Sequence, residues 1–261
     1  MRVKTGLSPV VAVVQSRMGS TRLPGKVMKP IGGRPILWHV VNRLKAASMI
    51  DDIIVATTEE PSDDIIQEWC RLNGTGCYRG SMDDVLDRYF YAARNAKAKT
   101  VVRITSDCPL VDPALVDRAI RKFSEGGFDY VSLDPSFPDG LDAEVFSFDA
   151  LEKAYMAASL SSEREHVTPY IWKRTQLFRV CKIMSETDRS NMRWTVDDER
   201  DLRLVTAIYD GINAGERVFH MEEILQFLEK NTALLELNAD IKRNEGYAKS
   251  LKEDKLVQQA G

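Results

Sequence analysis

The sequence has little of what builds a zinc or redox centre. Its 261 residues include three histidines and four cysteines, Cys70, Cys77, Cys108 and Cys181, with no C-x-x-C pair among them. That pattern excludes the usual zinc spacings and fits buried, reduced thiols of a cytosolic protein. No apolar run approaches the ~20 residues of a membrane span. Residues 1–9 are short, basic and not hydrophobic, unlike a secretory leader. Charge of either sign is scarce in net terms: 36 basic against 39 acidic residues leave −3. Such a balance gives no general attraction to nucleic acid or to an anionic membrane. Internal repeats and low-complexity linkers are also missing. These absences describe a cytoplasmic protein with no nucleic-acid or membrane partner, in which any phosphate site must be a local cluster of cations.

What is present is an alternation of two patterns. Apolar, β-branched runs at 10–14, 52–56 and 100–104 suit parallel strands covered on both faces. Between them lie helical patterns at 35–47, 62–72, 83–96 and 113–123, the last opened by Asp112-Pro113, a helix start signal. Strands alternating with helices imply crossover connections and a mostly parallel sheet. Ligands then bind at the carboxyl ends of the strands. After Asp129 the rhythm changes. Strands are expected at 129–133 and 141–148, around a turn-rich stretch at 134–140. Helices follow at 150–158 and 164–174, then a short extended segment at 193–196 ending on Asp197. Helices at 199–209 and 221–230 precede a polar tail. The expected product is one domain, with a β-rich portion projecting near 134–190 to meet substrate or a second copy. Leu225, Phe227, Leu228, Leu234 and Leu235 could form a homodimer face or belong to the core.

The loop after the first strand carries the chemistry. It reads Gln15-Ser16-Arg17-Met18-Gly19-Ser20-Thr21-Arg22-Leu23-Pro24-Gly25-Lys26. Glycine lets backbone N–H groups approach an anion closely, arginine offers paired hydrogen bonds to phosphate, and lysine a mobile charge. Gln15, Ser16, Arg17, Gly19, Ser20, Arg22 and Lys26 can thus hold a triphosphate. Five residues separate Gly19 from Gly25 and Val27 follows Lys26, so this is not a Walker A loop; nor is it G-x-G-x-x-G. Two carboxylates stand at strand ends, Asp107 and Asp197. Mg²⁺ takes one or two carboxylates together with phosphate oxygens, which suits both, although Asp197 could equally cap the helix expected from Glu199.

Residues 12–26, with Gly33-Arg34-Pro35, resemble the nucleotidyltransferases that activate acidic sugars with CTP, the KDO and acylneuraminate cytidylyltransferases. Within that family they resemble the spore-coat polysaccharide protein F branch most. Further matches run through Arg79-Gly80-Ser81, residues 83–89 (DDVLDRY), 103–112 (RITSDCPLVD), 138–146 (PDGLDAEVF), 163–170 (EREHVTPY), 193–197 (RWTVD) and 244–247 (NEGY). The resemblance implies a Rossmann-like, glycosyltransferase-A-like α/β sandwich of three layers. It also implies Mg²⁺-dependent transfer of CMP from CTP to a small anionic sugar in surface polysaccharide synthesis, by a homodimer. Arg17, Lys26 and Asp107 would be catalytic, with Asp107 and Asp197 on the metal. Arg79, Gly80 and Ser81 would lie near the base, and Arg103, Thr105 and Ser106 are further nucleotide contacts. Sugar-acid cytidylyltransferases carry Gln-Gly where this chain has Thr105-Ser106. The acceptor would meet Asp139, Asp142, Glu144, Arg164, Glu165 and His166. The rival reading is a glycosyltransferase using a nucleotide sugar, for which Asp142-x-Glu144 is the nearest approach to the Asp-x-Asp metal motif.

Overall fold

The computed structural model describes residues 6–257 except 214 and 216. In chain order, β1 (Val10–Gln15) leads through the cationic loop and a 3-10 turn (Lys26–Met28) to a small hairpin, β2 (Pro30–Ile31) and β3 (Arg34–Pro35). Gly32 and Gly33 join that hairpin, both at positive φ, as a two-residue turn between strands requires. Then come α1 (Ile36–Lys45), β4 (Asp52–Thr58), α2 (Asp64–Leu72), β5 (Gly76–Gly80), α3 (Val85–Asn95), β6 (Thr100–Thr105) and α4 (Pro113–Ser124). Asp112 caps α4 as its sequence promised. The same carboxylate also receives the backbone N–H of Met221, so it ties two distant helices together.

The second half contains β7 (Tyr130–Leu133), β8 (Glu144–Ser147), α5 (Phe148–Ala157), α6 (Ser161–His166), α7 (Pro169–Trp172) and β9 (Val180–Ile183). It continues through α8 (Glu199–Ile212), α9 (Met221–Lys230) and α10 (Glu245–Lys252). One seven-stranded sheet runs β5-β4-β1-β6-β8-β7-β9, with β8 alone antiparallel to its neighbours. Residues 134–190, expected to project, supply β8 and β9 to this sheet, so the stretch is built into the main body.

Side chains on β1 alternate between two cores, as the two-residue strand period demands. Val10, Ala12 and Val14 pack with α1, α2, α4, α8 and α9 on one face, while Val11 and Val13 pack with α3, α5 and α7 on the other. Helices on both faces of a mostly parallel sheet give a three-layer α/β sandwich. Leu225 and Leu228 are buried in the first core, and Phe227, Leu234 and Leu235 pack against it. Those five residues therefore take part in the core.

Several boundaries differ for local reasons. The helix expected over 164–174 is two short ones, because Val167 takes a positive φ just ahead of Pro169. The strand expected over 141–148 is only β8, and α5 begins at Phe148 with Ser147 as its cap. Strand β9 and helix α10 were not foreseen. Among the described residues no helix is long and apolar enough to cross a membrane.

Candidate active site

The carboxyl ends of β1, β4 and β6 lie side by side. The cationic loop leaves from the first of them and Asp107 follows the last. Asp63, buried behind the loop, fixes it: one carboxylate oxygen accepts the N–H of Met18 at 2.7 Å, and the other accepts Thr57 and Thr58 at the end of β4. Gly25 sits at φ 66 and turns the chain so that Lys26 enters the interior. Arg17 and Gly19 stay exposed, Arg22 is 45% exposed, and Ser20 caps Leu23 within the loop. Behind Arg17, burial holds the Arg88 guanidinium below its ordinary pKa, and the charge of Arg17 adds to the effect. The loop thus presents Arg17 outward from a pinned frame, while Arg22 lies against Asp197 at 3.1 Å and Glu245 at 3.6 Å.

Lys26 is the centre of the site. Its Nζ donates to Asp107 Oδ2 at 2.8 Å, Asp197 Oδ1 at 2.7 Å and the Val196 carbonyl at 2.9 Å. Burial alone would lower the Lys26 pKa, but the two carboxylates outweigh it and raise the value. For Asp107, burial pushes upward and the Lys26 charge and hydrogen bond prevail, holding it at about 2. Residues 90 positions apart are brought together because Val196 N–H donates to the Asp107 carbonyl and Thr195 Oγ1 does the same. Residues 193–196 form a single bridge to Asp139 where a strand was expected. Gly140, at φ 102, lets that crossing happen: a Cβ there would lie 2.5 Å from Thr195 N.

Asp197 does not cap α8. Asp198 does, accepting from Arg200 and Asp201 N–H groups. The competing explanation for Asp197 therefore passes to its neighbour, leaving Asp197 facing Lys26. Among the described residues no three His, Cys, Asp or Glu side chains form a metal cluster. Asp107 and Asp197 nevertheless flank one cationic point from two sides. They suit Mg²⁺ provided phosphate oxygens complete the shell, which is how that ion is commonly held. Nearby, Gln15 Oε1 and Ser16 Oγ are buried without a hydrogen-bond partner. Unsatisfied buried polar atoms are costly and call for a reason. Here they sit at the strand end where a nucleotide would approach.

The cytidylyltransferase family model matches residues 11–254. The chain belongs to the cytidylyltransferase family. It is 32% identical over 244 residues to the spore coat polysaccharide biosynthesis protein SpsF of Bacillus subtilis, covering 90% of this chain and all of that one. A cytidylyltransferase structure from Leptospira borgpetersenii superposes with a TM-score of 0.83 at 32% identity, covering 90% of this chain and 99% of that one. A 3-deoxy-manno-octulosonate cytidylyltransferase of Trichlorobacter lovleyi is 33% identical over 115 residues, 44% of each chain.

In this cytidylyltransferase the remaining expected site residues separate into two groups. Thr105 and Ser106 lie at the end of β6, beside Asp107. Thr105 Oγ1 contacts Cys108 Sγ at 3.1 Å, and Ser106 N–H donates to the Gln15 carbonyl. Asp139 shares Arg193 with Asp197, and Asp142 is held by Arg243. Burial and the neighbouring Asp142 push Asp139 up to about 6, against the pull of Arg243 and Arg193. The others are engaged elsewhere. Arg79 is turned back onto the Thr58 and Glu60 carbonyls, Asp64 and Gln67. Gly80 and Ser81 support the same turn, the first through its carbonyl to Glu59 N–H and the second through its hydroxyl to Asp84 N–H. Arg103 pairs with Glu144 at 2.5 Å, and Glu144 is further held by Tyr130 and Thr168. Asp142 and Glu144 therefore do not converge. Arg164 binds Asp84 and the Tyr155 carbonyl. Glu165 and His166 both contact Ser250 on α10.

Two arginines escaped the sequence reading. Arg193 is 7% exposed and binds Asp139 at 2.7 Å, Asp197 at 2.6 Å and Asp201 at 3.0 Å. Arg243 binds Asp142 at 2.6 Å and lies 3.5 Å from Asp139. Arg193 thus links Asp197, which faces Lys26, to Asp139 and Asp201. Its place in the matched stretch 193–197 (RWTVD) gave no sign of this pairing. A second signal was the surplus of aspartates, 139, 142, 197, 198 and 201, which a fold must neutralise if they are buried.

Proposed function

We propose that the protein is a Mg²⁺-dependent cytidylyltransferase that moves CMP from CTP to a small acidic sugar, of the ulosonic or nonulosonic kind, in surface-polysaccharide synthesis. The observation that carries this reading is Lys26 held between Asp107 and Asp197 beneath an exposed cationic loop. Family membership supports CTP as donor. Likeness to a spore-coat polysaccharide protein and to a 3-deoxy-manno-octulosonate cytidylyltransferase supports an acidic sugar acceptor.

Arg17, Arg22 and Lys26 hold the β- and γ-phosphates and balance the charge that grows on the leaving pyrophosphate. Gln15 and Ser16 offer their unpartnered oxygens toward the nucleoside end. Asp107 and Asp197 would hold Mg²⁺, which when bound supplies Lewis-acid polarisation of the phosphate oxygens. An acceptor oxygen attacks the α-phosphorus, a P–O bond forms, and the bond to the pyrophosphate bridging oxygen breaks. The residues contribute by position and fixed charge, since phosphoryl-type transfer asks little covalent chemistry of a protein. Asp139, Asp142 and Arg243 border the acceptor side, where an anionic sugar can exchange its carboxylate for an aspartate on Arg243.

Calorimetric titration of CTP, UTP, ATP and GTP in the presence of Mg²⁺ checks the donor without knowledge of the acceptor. CTP should bind at least about tenfold tighter than the others, about 1.4 kcal/mol. A tighter purine triphosphate, or no discrimination, contradicts the assignment.

A further inference from the structure

We infer that Lys26 is the resident cation of the nucleotide-free enzyme, occupying the place between Asp107 and Asp197, so that a divalent metal is bound only together with the triphosphate. The inference rests on the reading of those two aspartates as the metal pair.

An ammonium has three hydrogens to donate, and Lys26 uses all three on Asp107, Asp197 and the Val196 carbonyl at 2.7 to 2.9 Å. Its side chain is 11% exposed. A lysine so buried is stable only when its charge is met. The remaining Asp197 oxygen faces Arg193 at 2.6 Å and Arg22 at 3.1 Å. One oxygen of each aspartate therefore already carries a hydrogen bond from Lys26, and a divalent ion entering between them meets that ammonium at close range. Adding two positive charges to this set is unfavourable unless anionic phosphates enter with them. A triphosphate brings those charges and also gives Lys26 a new partner, releasing the aspartates. The lysine thus makes metal and nucleotide binding mutually dependent, and the free enzyme does not accumulate metal ions that block the site.

The test is Mn²⁺ binding without nucleotide, followed by electron paramagnetic resonance. Wild type should bind Mn²⁺ weakly. Lys26→Met should bind it at least about tenfold tighter, since a repelling charge a few ångströms away is gone. Lys26→Arg, which keeps the charge, should stay weak. Lys26→Gln, which retains hydrogen-bond donors, gives the same reading as Lys26→Met if the latter does not fold. Adding Asp107→Asn to the tight variant should return it to weak binding. Equal affinity in wild type and both neutral variants overturns the inference, as does tight binding that survives Asp107→Asn. A purely structural lysine would lower stability on removal and leave Mn²⁺ affinity unmoved. Pyrophosphate release by wild type from CTP and an acceptor reports the underlying reading separately, so either can fail alone.

Discussion

Asp107→Asn is expected to lower turnover by roughly a thousandfold, the scale on which preorganised charge at a reacting centre acts. The amide keeps the size of the side chain and removes the charge that faces Lys26. Lys26 retains Asp197 and the Val196 carbonyl, so the fold should survive and the loss should appear in kcat. The burial of Asp107 would cost stability were it not for Lys26, which holds it ionised with a value at about 2. Neutralising it leaves Lys26 with one carboxylate, and phosphates lose both a metal ligand and a correctly aimed ammonium. Asp198→Asn is the comparison: that residue caps α8, and an Asn cap is nearly as good as Asp. Its turnover should stay within about threefold of wild type, because a cap contributes about 1 kcal/mol to the helix and nothing to the phosphates. Steady-state kinetics of both variants at saturating CTP decides the matter. Turnover of Asp107→Asn within tenfold of wild type would remove Asp107 from the chemistry.

The second large effect is on stability. Arg193→Met should destabilise the protein by about 3–5 kcal/mol, the range seen when one partner of a buried ion pair is removed. Arg193 is 7% exposed and is shared by Asp139, Asp197 and Asp201, the last fully buried. Truncation takes a cation from three carboxylates at once and leaves the buried Asp201 without its arginine. Arg193→Lys should recover only part of the loss, because a single ammonium lacks the planar fork that reaches three acceptors. The deficit has a pH signature. Asp139 already stands at about 6 instead of 3.8, and loss of its arginine pushes it further up. A folded value above the unfolded one means that its stabilising contribution is complete below 3.8 and is lost as pH rises through the folded value. The gap between variant and wild type should therefore widen from pH 4 to pH 7. Urea melts across that range measure it, and a gap that narrows toward neutrality contradicts the buried network.

Much of the fold was legible because its signals are local. β-Branched runs gave β1, β4 and β6, and Asp112-Pro113 gave the start of α4. The cationic loop was visible because its glycines and cations are consecutive. What was hidden is set by contacts between distant residues. Strand β9 reads as an ordinary mixed segment, and only its parallel pairing with β7 makes it a strand. Arg103 and Glu144 look like two separate polar residues until antiparallel pairing of β6 with β8 places them side by side. Arg79 resembles a nucleotide contact in sequence, yet the α2 turn offers it four acceptors first. The Asp197 question needed the backbone to settle which of two adjacent aspartates caps α8. Arg193 and Arg243 were invisible for the same reason: each meets an aspartate distant in sequence, Asp139 for both and Asp142 for Arg243.

The most direct measurement follows both products of the reaction. Protein, Mg²⁺ and CTP are incubated with a panel of ulosonic and nonulosonic acids, and pyrophosphate and the acceptor's mass are recorded together. The account predicts that one acid gains the mass of CMP while an equal amount of pyrophosphate appears. Both changes should vanish in Asp107→Asn. Pyrophosphate without a modified acid, or an acid modified at the expense of a nucleotide sugar with no pyrophosphate released, would contradict it.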